Sequence, residues 1–115
     1  RYESFSYTTA GFIPYGDVET KPLFNGASMA SSNQMAIEKY FSGQTKELEQ
    51  EEEGLVILLY YIDEKGAAHV HEVIYATNIS LEKEACRMVN EMPGWEPGKQ
   101  NGEKVAVVRS LELAF

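Results

Sequence analysis

Leu81, Ala85, Met88 and Met92 are spaced 4, 3 and 4 apart, which lays one apolar stripe along a helix. Ser80 precedes the stripe as its N-cap. Glu82 and Glu84 sit in the first turn, where the helix dipole favours acids. Pro93 ends the helix, Asn101-Gly102 turns the chain sharply, and residues 104–114 read as a terminal strand before Phe115. Upstream, residues 55–63 read as a strand, which Asp63-Glu64-Lys65-Gly66 turns into a second strand over residues 68–77, glycine supplying a left-handed conformation. An earlier helix is predicted over residues 32–41, with Ile37, Tyr40 and Phe41 on one face, Ser32 or Asn33 as cap and Gly43 as stop. The order helix, strand, strand, helix, strand predicts an α+β domain: a three-stranded antiparallel sheet with two helices packed on one face.

The first strand breaks the expected alternation. A sheet with one wet face should alternate apolar and polar residues. Here Val56, Leu58, Tyr60 and Ile62 occupy one face while Leu55, Ile57, Leu59 and Tyr61 occupy the other. Fully burying such a side chain stabilises by roughly 1.5–3 kcal/mol, so this second face calls for a cover. Ala106 and Val108 extend it, since Val105, Val107, Leu111, Leu113 and Phe115 have the opposite parity. Two covers are available: an aromatic N-terminal arm, slightly favoured, or the same face of a second copy.

That arm is residues 1–22, carrying Tyr2, Phe5, Tyr7, Phe12 and Tyr15 among prolines and glycines that forbid a helix. The domain proper is then residues 23–115. Residues 44–53 form an acidic connector, with Glu47, Glu49, Glu51, Glu52 and Glu53 solvated by mutual repulsion.

Composition narrows the partners. A formal charge of −8 disfavours nucleic acid and anionic membrane surfaces. A single cysteine permits no internal disulfide, and no apolar run reaches the roughly 18–20 residues that span a bilayer. The chain starts at Arg1 with no visible signal peptide, which reads as a domain separated from its export signal or anchor.

Little of the sequence suggests chemistry. His69 and His71 share a side of an ideal strand but lack the third ligand that zinc wants. Cys86 has no histidine near it in sequence and reads as a buried, inert thiol. Asp63 and Glu64 are hairpin residues, and Gly94 and Gly98 belong to a turn. Neither an enzyme nor a cofactor is predicted. Trp95 pins the helix end against the sheet, its indole N–H seeking a carbonyl, with direct partner contact as the other role open to it.

The elements Leu81, Ala85, Met92-Pro93, Trp95, Pro97-Gly98, Asn101-Gly102, Val105, Val107 and Phe115 together resemble the C-terminal domain of the TonB family, with Gly54, Asp63 and Gly66 at family-like spacing upstream. The resemblance covers roughly residues 54–115. It implies a periplasmic protein-interaction module, tethered to a membrane in the full-length protein. Such a module binds an extended peptide of an outer-membrane transporter by adding it to the last strand, here through Lys104, Ala106, Val108, Arg109, Ser110 and Glu112, with Trp95 nearby. Arg109 stands where relatives often carry an aromatic residue and Glu112 where many carry proline. The tyrosine-proline motif usual before the first strand is replaced by the acidic connector. The alternative is a divergent stand-alone module that self-associates through Leu55, Ile57, Leu59 and Tyr61.

Overall fold

The computed structural model describes residues 11–25, 27–46 and 53–115. In chain order the elements are β1 (Ile13–Pro14), β2 (Leu23–Phe24), a short 3-10 turn (Ala30–Ser32), α1 (Asn33–Lys46), β3 (Leu55–Ile62), β4 (Ala68–Ala76), α2 (Ile79–Asn90), β5 (Trp95–Glu96), β6 (Gly98–Gln100), β7 (Glu103–Val105) and β8 (Val107–Ala114). The main sheet has the order β1-β8-β3-β4, so it holds four strands where three were expected. Its three long strands are antiparallel, while β1 joins β8 in parallel.

One face of the sheet carries the core. Val56, Leu58, Tyr60 and Ile62 of β3 meet Leu81, Ala85, Met88 and Val89 of α2 and Ile37 and Phe41 of α1 in a single buried cluster. The stripe read from the sequence is therefore the buried face of α2, although Met92 lies just beyond the helix and packs beside the cluster. The cap of α2 is Asn78 and not Ser80: the Asn78 side chain accepts from the Leu81 N–H at 2.8 Å. Nor does α1 stop at Gly43. That glycine is exposed, and a mid-helix glycine costs only about 1 kcal/mol, which the anchoring of Ile37 and Phe41 offsets.

Asn33 has a different task from the capping expected of it. It is buried beneath the N-terminal segment, accepting from the Phe24 N–H at 2.9 Å and donating to the Pro22 carbonyl at 2.7 Å and the Tyr15 hydroxyl at 2.8 Å. Further contacts fix the same segment. Val18 is buried, Thr20 and Lys99 exchange two backbone bonds, and β2 pairs antiparallel with β5. Residues 13–24 thus lie against the sheet, while Tyr2, Phe5, Tyr7 and the acidic residues Glu47, Glu49, Glu51 and Glu52 fall outside the described residues.

Two turns position the C-terminal strands. At the β3–β4 hairpin, Gly66 has φ +88°, and a Cβ there would collide with the Trp95 carbonyl oxygen, whose own N–H donates to the Gly66 carbonyl at 2.9 Å. Asn101 and Gly102 both adopt positive φ, 54° and 81°, and close the β6–β7 hairpin as a two-residue turn of this kind requires. The single terminal strand expected over residues 104–114 is therefore two: β7 folds back on β6, and β8 then enters the main sheet. No helix among the described residues is long and apolar enough to cross a membrane.

Candidate functional site: the outer edge of the last strand

Gly54 and Phe115 exchange both backbone hydrogen bonds. In an antiparallel ladder such pairs recur every second residue, so Leu113, Leu111, Arg109 and Val107 turn their N–H and C=O groups toward β3. The groups of Ala114, Glu112, Ser110, Val108 and Ala106 consequently point the other way, along the outer edge. The first part of that edge is taken. Ile13 donates to the Ala106 carbonyl at 3.1 Å and Tyr15 to the Val108 carbonyl at 3.0 Å. Among the described residues, no strand pairs with the outer edge of residues 109–114.

Two hollows follow the open part. Where β1 ends, a cavity of about 240 Å³ is bounded by Pro14, Tyr15, Gly16, Leu59, Val108, Arg109 and Ser110. Farther along, a groove of about 330 Å³ lies between β8 and α1, with Gln34, Ile37, Glu38 and Phe41 on the helix side and Leu111, Glu112 and Leu113 on the strand side. A strand added to this edge would run through both. Glu38 and Glu112 are exposed at the groove and make its rim acidic.

The residues expected to bind a partner separate into three groups. Ser110 and Glu112 are exposed on the open edge, as that role demands. Ala106 and Val108 have the right direction but their carbonyls are engaged by the chain's own N-terminal segment, which corrects the expectation of a wholly open edge. Lys104, Arg109 and Trp95 are elsewhere. Lys104 pairs with Lys99 in the β6–β7 hairpin. Arg109 projects to the opposite face, its guanidinium 4.1 Å from the Tyr15 ring centre and 5.8 Å from that of Trp95, with Nη2 3.5 Å from the Gln34 amide oxygen. Its Nη1 is buried with no hydrogen-bond partner.

Trp95 is 5% exposed and packs on Phe24 at 5.0 Å, so it is a core residue. It pins the α2 exit to the hairpin through Gly66. Its indole N–H finds no carbonyl, contrary to expectation. Burial pushes the neighbouring Tyr60 hydroxyl up to about 12, with Arg109 pulling the other way and Tyr15 reinforcing the rise.

Among the described residues, the second face of β3 is covered at one end only. Phe12 stacks on Tyr61 at 4.5 Å and meets His71 edge-on at 5.0 Å, while Leu59 is 1% exposed beside Pro14, Tyr15 and Gly16. Leu55 and Ile57 remain half-buried, and Tyr75, opposite Ile57, is 50% exposed.

The two histidines belong to this aromatic group. His69 stacks on Tyr61 at 5.0 Å, and its Nε2 lies 2.8 Å from the Asp63 carboxylate. The strand bulges at His71, so the pair is not in the ideal register assumed from sequence. Among the described residues, no three His, Cys, Asp or Glu side chains are grouped to hold a metal. Desolvation would raise the Asp63 carboxyl, but hydrogen bonds from the Ala67 N–H, His69 and the Lys65 N–H outweigh it and hold it below the usual carboxylate range. Cys86 is half-buried instead of enclosed, and desolvation, then Glu82, raises its thiol and keeps it protonated.

Residues 45–115 match the family model described as the Gram-negative bacterial TonB protein C-terminal, well over half of the chain. The chain belongs to the TonB C-terminal family. No curated protein matches it. TonB C-terminal domains are periplasmic protein-interaction domains, not enzymes, and engage proteins such as outer-membrane transporters. In this member of the TonB C-terminal family, β3, β4, α2 and β5 to β8 all fall within the matched residues. The N-terminal segment with β1 and β2, and nearly all of α1, precede them. Asn33, Tyr15 and α1 are thus contributors to the edge that the resemblance could not indicate. The helix and the aromatic arm were legible in the sequence, but Asn33 read only as a cap and nothing joined it to Tyr15.

Proposed function

We propose that this chain docks an extended segment of an outer-membrane transporter, or of another envelope protein, as an added strand along the outer edge of β8. The observation that carries the reading is the set of outward backbone groups at Ser110, Glu112 and Ala114, unpaired by any described strand and bordered by the α1 groove. Main-chain bonds supply the affinity in such a mode and alternate side chains the register. At about 1 kcal/mol net per bond, offset by ordering of the peptide, a weak complex is expected, with Kd on the order of 10–100 µM. Glu38 and Glu112 favour a segment bearing lysine or arginine. The family's periplasmic setting supports a module that works in that compartment.

The test is a titration with a synthetic plug-motif peptide from an outer-membrane transporter, read by amide chemical shifts. Residues 110–114 and Gln34, Ile37 and Glu38 should move together while residues 68–76 stay still. Unmoved resonances at 110–114 at millimolar peptide would sink the reading. A second reading, self-association through Leu55, Ile57 and the outer face, is favoured by the half-exposed Tyr75 opposite Ile57.

A further inference from the structure

We propose that residues 11–16 are a built-in competitor for the docking edge: β1 occupies the first part of the seat that a partner strand needs, and yields it on binding. The inference rests on the docking reading above. It begins from the outward row itself. Of its five residues, Ala106 and Val108 are engaged by the Ile13 and Tyr15 N–H groups, and among the described residues no strand pairs with the remaining three. A partner seated only on residues 110–114 gets a short ladder. One that reaches Ala106 must remove β1.

The occupant is short: besides its backbone bonds to Ala106 and Val108 it is held by the Phe12 stack on Tyr61 and by Tyr15 on Asn33 and Arg109. β1 is two residues long, Pro14 and Gly16 are exposed, and Gly11 stands at φ +90° with open space around it. It is also an imperfect fit, since the Arg109 Nη1 beneath the Tyr15 ring is buried without a hydrogen-bond partner. From Val18 onward the attachment changes character. Val18 is buried, Thr20 is bonded on both sides to Lys99, Glu19 and Gln100 are linked, and Pro22 is enclosed. Release of residues 11–16 would break the Asp17 and Val18 bonds to the Pro14 carbonyl and the Lys21 bond to the Tyr15 carbonyl, while the attachments from Thr20 onward can stay in place. Such low-stability openings are where exchange of partners occurs. Because the competitor is tethered, its effective concentration at the edge is high, and weakening it should tighten any rival strand. The segment lies before the residues that match the family model.

The experiment uses a synthetic peptide with the sequence of residues 11–17 as the rival, titrated into the whole chain and into two variants. Ile13→Pro removes the N–H that bonds Ala106. Tyr15→Ala keeps the backbone donors but removes the ring over Arg109 and the bond to Asn33, and guards against misfolding of the proline variant. Both variants should bind the peptide at least about tenfold more tightly than the wild type, with shifts at Ala106 and Val108. Equal affinities, or shifts that bypass these residues, would overturn the proposal. Hydrogen exchange gives the second readout. Saturating plug-motif peptide should strip protection from the Ile13 and Tyr15 amides. If that peptide moves residues 110–114 while Ile13 and Tyr15 stay protected, the competitor is refuted and the docking reading stands. If it binds nowhere, both fall.

Discussion

Tyr60 shows how a single side chain ties the two faces of the site together. It is 1% exposed, faces the helices, and pairs across the sheet with Arg109. Its hydroxyl is raised by burial to about 12, against 10.0 in an open chain. Between those values the folded protein keeps a proton that the unfolded chain has lost, so stability must fall as pH rises through this window. A shift of that size corresponds to roughly 3 kcal/mol. Denaturant unfolding across pH 9 to 12 should show the decline in wild type, and Tyr60→Phe should lack that part of it. Identical slopes would mean that the phenol is not desolvated. Arg109 illustrates the limits of sequence at this scale. Its parity places it on the core side, yet a charged residue on an apolar face has no obvious destination until Tyr15, ninety-odd positions away, is seen to cover it.

At the level of elements, the segments with strong local signals were readable and those held by distant contacts were not. The α2 stripe, the Asp63–Gly66 turn and the Asn101-Gly102 turn each express their conformation in adjacent residues, and each is found in place. β1 and β2 are two residues apiece, too short for any period, and exist because β8 and β5 offer them partners. The division of the terminal strand was hidden for the same reason, since residues 103–114 carry no break that distinguishes one strand from two. The hairpin between β3 and β4 provides the test at this scale. Gly66→Ala would place a methyl against the Trp95 carbonyl at a backbone angle that alanine resists, with about 1–3 kcal/mol from the dihedral alone. Thermal unfolding should show a loss of at least that size. A variant as stable as wild type would contradict the tight apposition of the hairpin and the α2 exit.

Across the whole molecule, β3 is the organising element, flanked by β4 and β8 and covered on its inner face from end to end. Among the described residues its outer face is finished only toward Tyr61, leaving Leu55, Ile57 and Tyr75 as the apolar surface that a second copy could bury. If it does, light scattering at high micromolar concentration should give a dimer mass for wild type and a monomer mass for Ile57→Glu. A monomer in both cases would remove the self-association reading and leave peptide docking unaffected. The placement of Trp95 has a practical corollary. It is the sole tryptophan of the chain, and its indole lies 5.8 Å from a guanidinium that the ring of Tyr15 covers. Departure of that ring would admit solvent to the cation and alter the field at the indole, so intrinsic fluorescence offers a label-free optical gauge of edge occupancy, suited to stopped-flow timing.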